Sequence, residues 1–292
     1  MQSPSTSAVL AGSGDSRRRP DRRVPELVLA QRVLSALVGI PVVVLVVLFG
    51  PAWLYILLVL AFALGAQLEL YQMFRAVRVD ADRAAGLALG ALVVLAFAAD
   101  RPVLLPLALS LAVIVVVALG VRRDAGSEGA WAGLTLTLLG VCYCAWLFGH
   151  AIWLRALPDG RALTLFVLGV TWSGESAAYF VGRRFGRRRL APSLSPGKTV
   201  EGGVAQVIAS IAVALLGARF VGLAPPKAVA VGIILGIVGQ FGDLSESFLK
   251  RSAGAKDAGH VIPGHGGLLD RLDSLLFNVP ALYYWLYFAG AH

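Results

Sequence analysis

Long apolar stretches separated by short polar segments make up most of the chain after residue 32. Most of these stretches approach the roughly 20 residues that an α-helix needs to cross the hydrocarbon core of a bilayer. They lack the period-two alternation of apolar and polar residues that is typical of barrel strands. The pattern therefore predicts an all-α, polytopic integral membrane protein with about nine transmembrane helices. The predicted helices cover residues 33–50, 52–74, 84–99, 102–121, 130–154, 162–182, 202–222, 228–249 and 275–291.

The composition agrees with a membrane protein and excludes several other classes. Apolar residues make up 58% of the chain and charged residues 15%, which leaves too few charged side chains to cover a soluble surface. A soluble cytosolic enzyme and a disordered chain are therefore excluded. The two cysteines, Cys142 and Cys144, are too few for a disulfide-stapled secreted domain, and we predict that they are packing residues.

The basic residues are distributed unevenly between alternate loops. If the N-terminus is cytoplasmic, 21 of the 26 Lys and Arg residues fall in cytoplasmic segments. Because cytoplasmic loops carry an excess of Lys and Arg, we predict this orientation, with cytoplasmic loops at 183–201 and 250–274. The net charge of +9 is then explained by topology and by attraction to anionic lipids, without nucleic acid as a partner.

Three regions follow from these patterns. Residues 1–32 are rich in Ser, Gly, Pro and Arg, a composition that predicts a disordered basic cytoplasmic tail. Residues 33–154 are predicted to form N-terminal transmembrane helices. Residues 155–292 contain the two long cytoplasmic loops and the most conspicuous polar residues, and they form the predicted catalytic region.

Charged residues inside apolar spans are costly, so they indicate functional sites. The eighth predicted span places polar residues on one helix face, at Asp243, Glu246, Ser247 and Lys250. After a Gly-rich loop, the same spacing recurs at Asp270, Asp273 and Ser274. The sixth span carries Glu175 and Tyr179 on a shared face. The end of the eighth span and the start of the next helix, which both carry carboxylates, are thus predicted to flank one basic, Gly-rich loop.

This assortment of residues favours a particular chemistry. Converging carboxylates, with no Cys and few His nearby, favour a hard cation such as Mg²⁺ over zinc. Cationic side chains that can bind phosphate lie close by in the sequence, at Lys198, Lys250, Arg251, Lys256 and Arg271. Together these residues predict a metal-assisted site for a polyphosphate. Taken singly, the Asp243 face also fits a structural pattern at the membrane boundary, and His265 fits loop structure as well as a phosphate contact.

The segment from Ser247 to Asp273, SFLKRSAGAKDAGHVIPGHGGLLDRLD, resembles the signature of the phosphatidate cytidylyltransferase (CDP-diacylglycerol synthase) family. The segment SPGKTVEG at 195–202 also resembles a family motif, and the close resemblance covers roughly residues 172–278. Members are multi-span inner-membrane enzymes that condense CTP with phosphatidic acid and release pyrophosphate. The resemblance implies a Mg²⁺ cofactor, a cytoplasm-facing active site in the cell inner membrane, membrane lipids as surroundings and a homodimeric assembly.

The resemblance also implies roles for individual residues. Metal ligation is expected at Asp243, Asp270 and Glu175. Catalytic roles are expected at Asp243, Asp270, Lys250 and His265. Substrate contacts are expected at Lys198, Ser247, Arg251, Lys256, Gly266, Gly267, Arg271 and Asp273. The chain departs from the family pattern at Glu175, where relatives usually carry Asp, and the longer arm can alter the metal geometry.

Three other functions are compatible with parts of the pattern. A CTP-dependent membrane lipid kinase would share the metal and triphosphate requirements but transfer a different group. An ion-coupled secondary transporter also uses intramembrane carboxylates, although it favours midplane charges and repeated halves. A catalytically weak relative that acts as a scaffold is left open by Glu175. The length of the matched signature favours the cytidylyltransferase.

Overall fold

The computed structural model describes residues 37, 39–99, 101–122, 129–259 and 266–289. The predictions for the tail at 1–32 and for His265 lie outside the described residues. Within them, helix is found in every stretch that the sequence predicts to be helical. The helices are α1 (Gly39–Phe49), α2 (Ala52–Phe74), α3 (Arg83–Ala98), α4 (Leu104–Arg122), α5 (Ala130–Gly140), α6 (Leu147–Ala156), α7 (Gly160–Phe185), α8 (Val200–Gly217), α9 (Pro225–Ser252) and α10 (Leu269–Phe288).

Five helical segments of the described chain are long and apolar enough to cross a membrane, by length and composition. They are Ala52–Val77, Leu104–Arg122, Ala130–Ala156, Val200–Phe220 and Pro225–Ser252. Helices α1 and α3 are apolar but shorter, whereas α7 and α10 carry several of the polar residues singled out above. The chain is therefore a helical membrane protein, and the count of nine crossings stays a prediction.

Helices α5 and α6 form one continuous rod because a π-helical segment, Val141–Trp146, joins them. This segment contains both cysteines. Cys144 is buried, Cys142 is partly buried, and neither is in a disulfide. The surroundings of Cys144 are those of a packing residue, since such thiols behave as small hydrophobic side chains.

The four C-terminal helices pack against one another in sequence order, α7 on α8, α8 on α9 and α9 on α10. Glycines let α8 and α9 approach closely: a Cβ atom on Gly236 would lie 2.8 Å from the Cα atom of Val207. Small residues at such crossings are typical of membrane helices, where close van der Waals packing contributes to association.

The predicted cytoplasmic loop at 183–201 contains regular structure. Helix α7 continues to Phe185, and a two-stranded antiparallel hairpin follows, formed by β1 (Arg189–Ala191) and β2 (Ser195–Thr199). The side chain of Thr199 then accepts a hydrogen bond from the Gly202 N–H group at 3.1 Å, which caps α8. The all-α prediction therefore holds for the bulk of the described chain but missed this hairpin.

Candidate active site

Three carboxylates from two helices form a compact acidic cluster. Asp243 and Glu246 lie on α9 and Asp273 lies on α10, and one oxygen from each lies within 4.8 Å of the others. The i, i+3 spacing on α9 aligns the first two side chains on one face, which packs against α10. Glu246 is buried, and the other two are partly buried. Such a set of carboxylate oxygens suits a hard divalent cation.

Gly242 explains how α9 and α10 come close enough to form this cluster. A Cβ atom at Gly242 would lie 2.5 Å from the Asp273 carbonyl oxygen and 3.0 Å from the Ser274 Cα atom. A larger residue would push α10 away from α9. The glycine next to Asp243 is thus a packing requirement of the acidic cluster.

Two lysines pair with the acidic residues. Lys198, at the end of the hairpin, places its Nζ atom 2.6 Å from an Asp243 oxygen. Lys250 bridges the two helices, with its Nζ atom 2.6 Å from Glu246 Oε2 and 2.8 Å from Asp270 Oδ1. Through Lys250, the predicted ligands Asp243 and Asp270 belong to one network of charges, although Asp270 is outside the compact cluster.

Asp270 is held by several other hydrogen bonds. Besides Lys250, its carboxylate accepts bonds from the N–H groups of Gly267 at 2.9 Å and Ala258 at 3.2 Å. Carboxylates near the first turn of a helix are stabilised by the unpaired N–H groups there. In this structure Asp270 therefore fixes the end of the loop that precedes α10, whereas the compact acidic cluster consists of Asp243, Glu246 and Asp273.

A polar cavity of about 550 Å³ lies beside the acidic cluster, between α7, the hairpin, α8 and α9. Lys198 and Asp243 line it, together with the arginines Arg183 and Arg189. Glycines along its wall expose backbone to the cavity. Cationic side chains and accessible N–H groups of this kind bind phosphate oxygens.

An apolar cavity of about 430 Å³ lies on the other side of α7, between α1, α2, α6, α7 and α10. Its wall is mostly aliphatic and aromatic, with the charged residues Glu175 and Arg271 as exceptions. Glu175 also lines the polar cavity, so both cavities reach the same carboxylate.

The remaining predicted substrate residues lie around this centre in different settings. Ser247 is buried on α9, and Lys256 is exposed in the following loop. Arg251 donates hydrogen bonds to the carbonyl oxygens of Leu194 at 3.2 Å and Ala255 at 3.3 Å, which joins the hairpin turn to that loop.

The two predicted glycines lie just before α10. Gly266 has a φ of +79°, a conformation that favours glycine, and Gly267 packs against Asp270.

The amino-acid sequence matches a known protein family. The sequence profile described as "Cytidylyltransferase family" matches residues 30–289, which is most of the chain. The chain belongs to the cytidylyltransferase family.

Individual relatives are similar over about half of their length. The uncharacterized protein YnbB of Escherichia coli (strain K12) is 43% identical over 143 residues, which cover 47% of this chain and 48% of that protein. The phosphatidate cytidylyltransferase of Bacillus subtilis (strain 168) is 40% identical over 151 residues, or 51% and 56% of the two chains. That of Synechocystis sp. is 43% identical over 133 residues, or 44% of each chain.

Two acidic residues of this cytidylyltransferase-family site were missed as functional candidates. Glu246 was recognised on the polar face of α9 but was absent from the predicted metal ligands. Glu69, on α2, was not predicted at all, although it is buried and accepts a hydrogen bond from the Leu269 N–H group at 2.8 Å. Its signal was available, because a carboxylate inside the apolar stretch 52–74 is costly and therefore indicates a functional residue.

Proposed function

We propose that this chain condenses CTP with phosphatidic acid to give CDP-diacylglycerol and pyrophosphate. The observation that carries the proposal is the meeting of a polar and an apolar cavity at Glu175, beside the acidic cluster. A reaction between a water-soluble nucleotide and a membrane lipid requires such a junction. Membership of the cytidylyltransferase family and the names of the Bacillus subtilis and Synechocystis relatives support the same reaction.

In this proposal the polar cavity binds CTP. Its volume of about 550 Å³ is within the usual range for a small-molecule site. Lys198, Arg183 and Arg189 bind the triphosphate, because their charges face this cavity. The ring of Tyr179, which also lines the cavity, offers a surface on which a nucleobase can stack.

The apolar cavity binds the acyl part of phosphatidic acid. The aliphatic walls of α1, α2 and α10 are as apolar as the interior of the bilayer, so an acyl chain can move from the leaflet into this cavity without entering water. Arg271, at the charged end of the cavity, binds the lipid phosphate and holds it next to Glu175. The lipid enters sideways from the cytoplasmic leaflet, and CTP enters from the cytosol.

The acidic cluster fits a magnesium ion, since one oxygen from each of its three carboxylates lies within 4.8 Å of the others and Mg²⁺ prefers carboxylate oxygens. Asp243, Glu246 and Asp273 would hold the ion, with Asp270 and Glu175, the other predicted ligands, at the border of the cluster. When bound, Mg²⁺ would stabilise negative charge on the phosphate oxygens.

In the proposed reaction, an oxygen of the lipid phosphate attacks the α-phosphorus of CTP. A new P–O bond forms, and the bond from the α-phosphorus to the bridging oxygen breaks, so that pyrophosphate leaves with the electron pair. The attacking phosphate is already anionic near neutral pH, so a strong general base is not required. Lys198 and Arg271 orient the two phosphate groups and stabilise their charge.

We further propose the topology and assembly that the sequence predicts. The chain crosses the cell inner membrane about nine times, with a cytoplasmic N-terminus and a cytoplasm-facing site. The region 155–292 supplies most of the catalytic residues, the region 33–154 supplies the other helices, and the basic tail 1–32 is cytoplasmic. A homodimer is proposed from the resemblance to the family. The excess of Lys and Arg in alternate loops supports the orientation.

The test is an assay of the purified full-length chain in detergent with CTP, phosphatidic acid and MgCl₂. We expect CDP-diacylglycerol and pyrophosphate in equal amounts, measured by mass spectrometry and a coupled pyrophosphate assay, and only when all three components are present. Release of CDP with a phosphorylated lipid would instead indicate a lipid kinase. Absence of any nucleotide-dependent lipid product would overturn the proposal.

A further inference from the structure

Glu69 makes a contact between two distant parts of the chain. It lies on α2, in the N-terminal region, and its side chain is 1% exposed. Its Oε2 atom accepts a hydrogen bond of 2.8 Å from the N–H group of Leu269, which follows 200 residues later at the start of α10. The carboxylate thus reaches the same helix end that carries Asp270 and, one turn further on, Asp273.

The start of α10 requires such an acceptor. The first N–H groups of a helix have no partner within the helix, and a side chain at the N-cap position often supplies one. The N-cap residue of α10 is Leu268, whose apolar side chain cannot accept a hydrogen bond. Asp270 accepts a hydrogen bond from the Gly267 N–H group, and Glu69 accepts one from the buried N–H group of Leu269, the first residue of the helix. Two carboxylates, one of them from α2, therefore cap this helix together.

Two glycines of the loop before α10 are packed directly against Glu69. A Cβ atom at Gly259 would lie 2.9 Å from Glu69 Oε1, and one at Gly267 would lie 2.6 Å from Glu69 Oε2 and 3.0 Å from Asp270 Oδ2. Any larger residue at Gly267 would have to displace both carboxylates. The close packing fixes the carboxylate of Glu69 between the loop and the helix start.

We infer that Glu69 is a positioning residue for the reaction proposed above, and that it acts by fixing the first turn of α10. Fixing that turn sets the position of Asp273 relative to Asp243 and Glu246, and therefore the geometry of the metal-ligand set. The inference rests on the proposed function only for its catalytic readout. It gives the N-terminal region a part in organising the site, in addition to its place in the wall of the apolar cavity.

The test compares Glu69→Ala and Glu69→Gln in the full-length chain. Measurements are kcat, KM for CTP, the Mg²⁺ concentration for half-maximal activity, and the dissociation constant for Mn²⁺ by electron paramagnetic resonance. Loss of a residue that supports metal ligands typically costs about 10- to 100-fold. We expect Glu69→Ala to lower kcat and weaken both metal readouts by about tenfold or more, with little change in KM for CTP. Glu69→Gln keeps an acceptor oxygen and should recover most of the loss.

Gln67 provides a matched control on the same helix. It is also buried, and its Nε2 atom donates to the Gly86 carbonyl oxygen and to the Tyr71 hydroxyl, both at 2.7 Å, so it contacts α3 rather than α10. Gln67→Leu should lower the melting temperature without weakening Mn²⁺ binding. A second variant, Gly259→Ala, should reproduce a smaller part of the Glu69→Ala effect by displacing the carboxylate.

The outcomes separate the inference from the proposed function. If the wild-type chain makes no CDP-lipid, the proposed function fails, and Mn²⁺ binding still tests the role of Glu69. If Glu69→Ala binds Mn²⁺ as tightly as the wild type, the inference is overturned. It is also overturned if Gln67→Leu weakens Mn²⁺ binding to the same extent, because the effect then reflects general loosening of the fold.

Discussion

The N-terminal helices α1 to α6 and the C-terminal helices α7 to α10 use polar residues in different ways. The C-terminal region carries charges that are adjacent in sequence and repeat at helical spacing, as at Asp243 and Glu246. The N-terminal region contributes the buried carboxylate of Glu69, which contacts α10, and apolar side chains that line the apolar cavity. In the proposed function the chemistry is thus concentrated in the C-terminal region, while side chains of both regions form the walls around it.

The largest expected effect comes from removing a charge of the acidic cluster. Asp243→Asn removes the carboxylate that pairs with Lys198 and that we propose as a metal ligand. We expect CDP-lipid formation to fall by more than about 100-fold, which exceeds the usual cost of losing a residue that only supports a ligand. The rate of product formation at saturating substrates measures this, and a rate near that of the wild type would contradict the role of Asp243.

The second prediction concerns the cation between α9 and α10. Lys250→Met removes the ammonium group that pairs with both Glu246 and Asp270, and so leaves these buried and partly buried carboxylates without their cation. Breaking a buried ion pair from one side costs about 3 kcal/mol or more. We expect a lower melting temperature together with a loss of activity, measured on the same purified sample. Lys250→Arg is the control that keeps the charge and should retain more of both, whereas equal losses would argue against a role for the cation.

The third prediction tests the apolar cavity, which both regions line. Val167 is 1% exposed and lines this cavity, so Val167→Phe would reduce the volume that we propose for an acyl chain. The larger ring would overpack the space beside a bound acyl chain, which typically costs about 1–3 kcal/mol, or about tenfold or more in affinity. We expect KM for a long-chain phosphatidic acid to rise by about that factor, with KM for CTP unchanged.

Val170→Phe is the control for Val167→Phe. Val170 is equally buried on the same helix but is absent from the wall of the apolar cavity. Its substitution should overpack the helix interface without changing KM for the lipid. The assignment of the cavity is contradicted if the two variants raise KM for phosphatidic acid equally.

The smallest effect is expected at a charged pair of the N-terminal region that takes no part in the site. Arg75 and Asp80 form a salt bridge of 3.1 Å, and their side chains are 59% and 70% exposed. Exposed pairs contribute little because water and salt screen them. Asp80→Asn should therefore leave activity unchanged and alter the free energy of unfolding by less than about 0.5 kcal/mol. A large loss of activity would show that the reaction also depends on charges far from the acidic cluster.

Local patterns allowed much of the fold and part of the site to be predicted from the sequence. Helical stretches were found because their apolar runs are long, and the face with Asp243 and Glu246 was found because helical spacing depends only on neighbouring residues. The hairpin formed by Arg189–Ala191 and Ser195–Thr199 was missed, since its second strand is a short segment that contains Pro and Gly, which is typical of a loop.

Contacts between distant residues could not be read from spacing. The bond between Glu69 and Leu269 joins positions 200 residues apart, and the sequence contains no period that links them. For the same reason, the pairing of Lys250 with Asp270 was not predicted, although both residues were named as candidates. The chemistry of the residues indicated candidate functional side chains, whereas the packing of α2, α9 and α10 determines which of these side chains are in contact.

The most direct test of the central claim follows the phosphorus atoms of CTP. The full-length chain is incubated with phosphatidic acid, MgCl₂ and CTP labelled either at the α-phosphorus or at the γ-phosphorus, and the lipid is then extracted. Transfer of a cytidylyl group predicts that the α-label enters the lipid and the γ-label leaves in pyrophosphate. A lipid that carries the γ-label, or that carries neither label, would contradict the account.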